Sequence, residues 1–235
     1  MNKLFLLILP FLVSFGPPEM EITPDDIPSN ENWAFVGEEE GIKTYRAKIE
    51  NSNLYAFQGM GIVNASAPSI MTVLRNVEQS SKWSPMLDEK ITLEEESDLL
   101  AYTYQHHNLP WPVNNRYLIL KNKLWLSKKN KALIVIMHSA NHDYKKAEGI
   151  RMHMGFGLVL LRPVDSNRSY MEVKIHLDPK GYIPDWLVNI IQKQWPRDFL
   201  KAVEKEAQKT RPNVRKEILT LYTKLQKLLV QPKKQ

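Results

Sequence analysis

Cysteine is absent from the 235-residue sequence, and its absence excludes several kinds of chemistry at once. Disulfide frameworks, thiolate zinc sites, iron–sulfur clusters and cysteine nucleophiles all require that side chain. The sequence also lacks a glycine-rich phosphate loop and the His-Glu-x-x-His spacing of zinc hydrolases. We therefore expect a protein without a metal site and without a cofactor.

A basic stripe along the body of the chain is missing as well. The net charge is +6, but residues 201–235 hold ten of the 32 Lys and Arg residues and only three glutamates. The remainder of the chain is close to neutral. Nucleic-acid-binding domains carry their basic residues on the folded body, so we expect no nucleic-acid partner.

Residues 1–16 are typical of an export signal. Lys3 provides the positive start, and the apolar run Leu4–Val13 is too short to span a bilayer comfortably. Pro17 is an unfavourable neighbour for cleavage, so an uncleaved membrane tether and a buried terminal helix are the alternatives. We expect an exported protein, periplasmic or secreted, in which residues 17–31 form a linker.

Strand-like runs begin soon after this segment. The first three cover Trp33–Val36, Ile42–Ala47 and Tyr55–Val63, and Gly59 and Gly61 lie on one face of the third. Small residues at such positions allow a helix or a ligand to lie close to the sheet. We expect that face of the third strand to be covered.

From Glu89 to Leu177 the pattern favours an antiparallel meander of strands separated by polar turns. Its clearest alternation turns Lys121 and Lys123 toward water and the other set of side chains inward. The length of this run predicts a strongly curved sheet. The inward set is Arg116, Leu118, Leu120, Asn122, Leu124 and Leu126.

Helices are predicted on either side of this meander. Ser66 suits the cap of a short helix with Pro68 in its first turn. Pro184 suits the start of a long amphipathic helix near the end of the domain. Pro196 lies inside that apolar pattern and should kink the helix near Gln192. The element order predicts an α+β fold.

A curved sheet closed by a helix must fill its concave face with the helix, with its own side chains or with a ligand. The inward positions are mostly aliphatic, and a cavity lined in this way selects apolar molecules. A fully packed core without a cavity is the alternative, and periodicity does not separate the two.

Residues 210–235 are predicted to form a basic amphipathic helix with three possible roles. The helix could lie on an anionic membrane, with Leu221 and Leu225 inserted and Lys224 and Lys227 at headgroup level. It could instead pack its apolar face on the domain, or remain a solvated helix. Packing on the domain is the default role, and membrane contact is our hypothesis, because a carrier of apolar molecules must meet a bilayer to load.

Four stretches carry a family resemblance. They are residues 64–83, residues 110–116, Gly157–Leu160 and residues 178–189, the last reading Asp-Pro-Lys-Gly-Tyr-Ile-Pro-Asp-Trp-Leu-Val-Asn. In order and spacing they resemble the START lipid-transfer domain family, and the last stretch is similar to the family's entry into its final helix. The resemblance covers Trp33–Lys209, which is most of the chain, and the predicted domain is residues 32–209.

The resemblance implies a helix-grip fold, in which a curved antiparallel sheet wraps a long C-terminal helix and one lipid lies in a tunnel between them. We expect a monomer whose partners are a lipid or another apolar small molecule and a membrane surface. By position, the implied gate is Leu109, Trp111 and Val113 facing Trp186, Leu187, Ile190 and Ile191, and the implied cavity wall includes Thr103, Arg116, Leu118, Leu120 and Asn122.

Two departures from the family pattern affect the expected ligand. The family's Arg-Asp pair is Arg116-Tyr117 in this sequence. Thr103 and Asn122 stand near the places where some sterol-carrying members have an acidic residue and an arginine. A neutral pair is easier to bury than unpaired charges. Sterol specificity is therefore not carried over, and a phospholipid, fatty acid, isoprenoid or hydroxylated lipid is possible.

A ligand-modifying enzyme on the same scaffold, similar to cyclases and hydrolases of this fold, is the alternative function. It would need an acid and a base inside the cavity, for which His106, His138 and His153 are the candidates. His106 and His107 are adjacent, so they point to opposite faces of a strand. No catalytic partner is evident, and we expect a binding protein without catalytic residues.

Overall fold

The computed structural model describes residues 22–23, 27, 32–184, 187 and 194–230. The predicted export segment, most of the predicted linker and the gate residues Trp186, Ile190 and Ile191 lie outside the described residues. Among the described helices, none combines the length and the apolar character that crossing a membrane requires.

Ten strands make up one sheet in the described part of the chain. They are β1 (Ala34–Glu39), β2 (Ile42–Lys48), β3 (Tyr55–Val63), β4 (Leu87–Ser97), β5 (Leu100–His107), β6 (Arg116–Ser127), β7 (Ala132–Ser139), β8 (Ile150–Arg151), β9 (His153–Pro163) and β10 (Ser169–Asp178). Their order is β1-β2-β3-β10-β9-β7-β6-β5-β4, and β8 pairs with β6 in parallel. The other pairings are antiparallel, which confirms the predicted meander.

The described helices are α1 (Ala67–Arg75), a 3₁₀ helix (Val77–Lys82), α2 (Trp195–Lys209) and α3 (Lys216–Val230). The first begins where the sequence predicts it. Ser66 Oγ accepts a hydrogen bond from the Ser69 amide at 3.2 Å, and Pro68 stands in the first turn. The cap therefore satisfies one of the amides that the start of a helix leaves without a partner.

Helix α2 lies directly against the concave face of the sheet. A Cβ added to Gly59 would stand 2.7 Å from the Cβ of Pro196, so only glycine permits this approach. The prediction that a small residue on β3 admits a helix is confirmed at Gly59. Leu200 and Val203 of α2 are fully buried in a core that also contains Met171.

Pro196 does not interrupt the described helix, contrary to the expectation that it lies inside one. It stands in the first turn of α2, where a missing amide hydrogen costs no intrahelical bond. The kink predicted near Gln192 falls outside the described residues.

The convex face of the sheet is partly covered rather than wholly solvated. Ile27, from the segment predicted to be a linker, is buried with Trp33 against Ile134 and Phe156. Ile119, on the face of β6 that was expected to meet water, is 2% exposed. These apolar side chains lie on the outward face of the sheet and are covered there, a packing that strand alternation alone does not reveal.

The predicted tail helix is present as α3, and it packs on the domain. Leu225 is fully buried and Ile218 is 4% exposed, both in the same core as α2. The prediction that Leu225 inserts into a membrane is therefore wrong for this structure, and Leu221 is half-buried against the same core. Lys224 and Lys227 are exposed, and their contact with headgroups stays a prediction.

Candidate functional site: an apolar cavity with one polar end

A cavity of about 490 Å³ opens between the concave face of the sheet and helices α1 and α2. This volume falls within the usual range of small-molecule sites. Its wall is mainly aliphatic and aromatic, and Trp195 and Phe199 stack within it at 5.2 Å between ring centroids. Apolar residues of the wall include Leu74, Trp83, Leu120, Leu124, Val135 and Met137.

The sequence-predicted site residues fall into three groups. Thr103, Leu109, Leu118, Leu120 and Asn122 line the cavity. Trp111, Val113, Arg116 and Leu187 lie outside its wall, with Trp111 91% exposed and the other three buried. Trp186, Ile190 and Ile191 lie outside the described residues, so the predicted contact across the gate stays a prediction.

Thr103 and Asn122 meet in the wall as diagonal neighbours, because the register of β5 and β6 pairs Thr103 with Leu120 and Asn122 with Ala101. The Asn122 Nδ2 group donates to Thr103 Oγ1 at 3.0 Å and to the carbonyls of Ala101 and Leu120 at 3.1 Å each. The amide hydrogens are therefore used within the wall. The Thr103 hydroxyl hydrogen and the Asn122 carbonyl oxygen are the groups of this neutral pair that can serve a ligand.

Arg116 holds two loops together beside the cavity instead of facing a ligand. Its guanidinium donates to the carbonyl of Asn114 on one side. On the other side it donates to Pro179 at 3.4 Å, Lys180 at 3.2 Å and Tyr182 at 3.4 Å. The side chain is almost fully buried, and backbone carbonyls supply its acceptors.

The polar end of the cavity contains three side chains that sequence reasoning missed. Lys90 on β4 pairs directly with Gln105 on β5, so both project from the same face of the sheet. His107 lies two residues beyond Gln105 on that face, and all three line the cavity. The alternation that places Thr103 inward also places Gln105 and His107 inward, and this signal could have identified them.

Both titratable groups at this end have displaced pKa values. Burial, and then the positive charge of Arg75, lower the pKa of Lys90 to about 8. Burial lowers the pKa of His107 to about 4, so this imidazole is neutral near pH 7. The polar end therefore presents an ammonium group beside a neutral ring.

The three histidines considered for catalysis lie elsewhere. His106 is on the convex side, with Nδ1 3.0 Å from Asp88 Oδ2. His138 hydrogen-bonds a backbone carbonyl through Nδ1, and His153 is exposed. None of the three lines the cavity in the described part of the chain, and no group of metal-ligating side chains occurs among those residues.

A model of the START domain matches residues 28–212. The chain belongs to the START domain family. An uncharacterised Pseudomonas aeruginosa protein is 28% identical over 183 residues, covering 76% of this chain and 88% of its own length. Mouse phosphatidylcholine transfer protein is 25% identical over 182 residues, covering 75% of this chain and 84% of its own.

The fold agrees with this membership. The crystal structure of human STARD10 superposes with a TM-score of 0.70 at 17% identity, covering 83% of each chain. At that identity the likeness shows the fold alone. It confirms the α+β helix-grip fold, a curved antiparallel sheet closed by C-terminal helices.

Proposed function

We propose that this protein binds one lipid molecule in the cavity, for transfer between membranes or for sensing. The observation that carries the proposal is a cavity of about 490 Å³ whose wall is mainly apolar. Each apolar group that moves from water to this wall makes the free energy of binding more favourable. The wall offers few hydrogen-bond partners to a polar substrate. A relative named for phosphatidylcholine transfer supports the same function.

Native mass spectrometry of protein purified without detergent, followed by organic extraction, tests this proposal. The expected result is a one-to-one adduct that the extract identifies as one lipid class. The proposal would be contradicted if the purified protein carries no lipid and also takes up no fluorescent lipid from vesicles. The function would then be sought in an enzyme with a small polar substrate or in an interaction module.

We further propose that the mouth of the cavity, rather than helix α3, docks on the membrane. Trp111 and Tyr182 are 91% and 85% exposed, on the two loops that Arg116 ties together. Leu109 and Ile183, from the same loops, line the cavity. Exposed aromatic side chains favour the bilayer interface, and docking there would bring the opening to the lipid.

A further inference from the structure

Lys90 differs from the other charged side chains of the cavity because it lacks an acidic partner among the described residues. Arg75 pairs with Glu95 at 2.7 Å, and Lys174 pairs with Glu172 at 3.2 Å. The fourth charged residue of the wall, Asp98, accepts hydrogen bonds from the start of α3, including one from the Glu217 amide at 3.1 Å. Lys90 therefore brings an unbalanced positive charge into an apolar cavity.

His107 supplies a second unmatched group. Its Nε2 atom is buried without a hydrogen-bond partner among the described residues. Because Nε2 has no partner, we assign the hydrogen bond to the Met86 backbone to Nδ1. A neutral ring with its hydrogen on Nδ1 leaves Nε2 as a bare acceptor. Buried polar atoms without partners are uncommon and point to a missing molecule.

A positive charge that lines an apolar cavity without an acidic partner is unfavourable unless something compensates it. The register places the Gln105 amide beside Lys90, so this end of the cavity can supply an ammonium group and amide hydrogens to one anion. We propose that the lipid carries an anionic group, a phosphate or a carboxylate, that forms an ion pair with Lys90 at the polar end of the cavity.

The remainder of the ligand follows from the same geometry. The apolar chains lie against the aliphatic and aromatic wall, while the anion lies over the inward face of β4 and β5, beside Lys90 and Gln105. The bare Nε2 acceptor of His107 suits a hydroxyl or N–H donor on the same headgroup. This inference rests on the proposed function, because it names the chemistry of the lipid that the cavity holds.

Vesicle-loading measurements on the full chain test the inference, with three lipid probes. Phosphatidylglycerol carries a phosphate and hydroxyls, oleate carries a carboxylate, and diacylglycerol carries a hydroxyl without an anion. Only phosphatidylglycerol and diacylglycerol share the same two acyl chains, so we expect phosphatidylglycerol to load in preference to diacylglycerol if the anion is a phosphate, and oleate to load in a Lys90-dependent way if it is a carboxylate. The Lys90→Met variant should lower affinity for the preferred anionic probe roughly thirtyfold and leave diacylglycerol unchanged. Lys90→Arg should retain most of the preference.

The controls separate failure of this inference from failure of the proposed function. Lys43→Met removes an exposed lysine from β2 and should change no affinity. If no probe loads, the proposed function fails. If all three probes load equally, or if Lys90→Met loads phosphatidylglycerol and oleate like the parent protein, lipid binding stands and the ion pair is wrong. Affinity for phosphatidylglycerol that falls in Lys90→Met identifies a phosphate, and affinity for oleate that falls in Lys90→Met identifies a carboxylate.

Discussion

At the scale of single residues, Lys90 links the stability of the ligand-free protein to pH. Its pKa is about 8 in the folded state and returns to 10.5 on unfolding. The unfolded chain therefore binds more protons between these values, and stability rises with pH across that window. Below pH 8 the charged lysine costs the folded state on the order of 2–3 kcal/mol.

The Lys90→Met variant should therefore be more stable than the parent protein at pH 7 by about 2 kcal/mol. The gain should shrink as the pH rises through 8 and disappear near 10.5. Arg75 and His107 are the groups coupled to this lysine, and the pKa of His107 lies far below the window. Urea denaturation of ligand-free protein at pH 7 and pH 10, with Lys43→Met alongside, measures the difference. A gain that is the same at both values would contradict the prediction.

The same residues show where sequence reasoning reaches its limit. Alternation on β6 correctly places Leu118, Leu120 and Asn122 in one wall, because a regular strand changes face at every residue. Lys90 stands among acidic neighbours in a strand that looks solvated. A register shift between Leu87 and Glu89 also breaks the alternation just before it. The Lys90 side chain points inward because Lys90 pairs with Gln105 on β5. The sequence of β4 alone does not predict that pairing.

At the scale of elements, the sequence predicts helix α3 but not the surface on which it packs. Periodicity predicts an amphipathic helix, but the apolar stripe does not reveal whether it meets a bilayer or the domain. Hydrogen bonds outside the apolar stripe show that the helix packs on the domain. The Asp98 amide donates to Glu217 at 2.9 Å, and the Asn213 amide donates to Thr72 Oγ1 at 2.9 Å. These bonds attach the start of the helix to the sheet and to α1.

Truncation of a buried side chain on α3 should therefore reduce stability. Leu225→Ala is expected to lower the free energy of unfolding by about 2–5 kcal/mol, because it leaves a cavity in the core. Leu219 lies on the same helix but is 48% exposed, so Leu219→Ala serves as the matched control with a change near zero. Denaturant titrations that give equal losses for both variants would show that α3 is not docked in solution.

At the scale of the whole molecule, the exposed aromatic side chains of the cavity mouth define how the protein should meet a bilayer. Replacing both Trp111 and Tyr182 with alanine is expected to weaken binding to phosphatidylglycerol–phosphatidylethanolamine vesicles roughly tenfold or more, from lost apolar burial at the interface. Sedimentation with vesicles measures this loss.

Matched variants locate the docking face. Phe35 is 60% exposed on the edge strand β1, so Phe35→Ala removes an exposed aromatic side chain away from the mouth and should leave vesicle binding unchanged. Lys224→Ala with Lys227→Ala tests headgroup contact by the tail. If vesicle binding depends on these lysines and not on Trp111 and Tyr182, the protein docks through α3 and the proposed docking at the cavity mouth is wrong.

The close approach of α2 at Gly59 places the helix over one part of the sheet only. The helix rests on β2, β3 and β10, whereas Lys90, Gln105 and His107 project from β4 and β5 at the opposite end of the strand order. Because β4 is an edge strand, side chains there can be exchanged without repacking the helix that closes the fold. Under the proposed function, substitutions at Lys90 should therefore change ligand preference and leave the packing of α2 intact, so ligand preference could be redesigned at that edge alone.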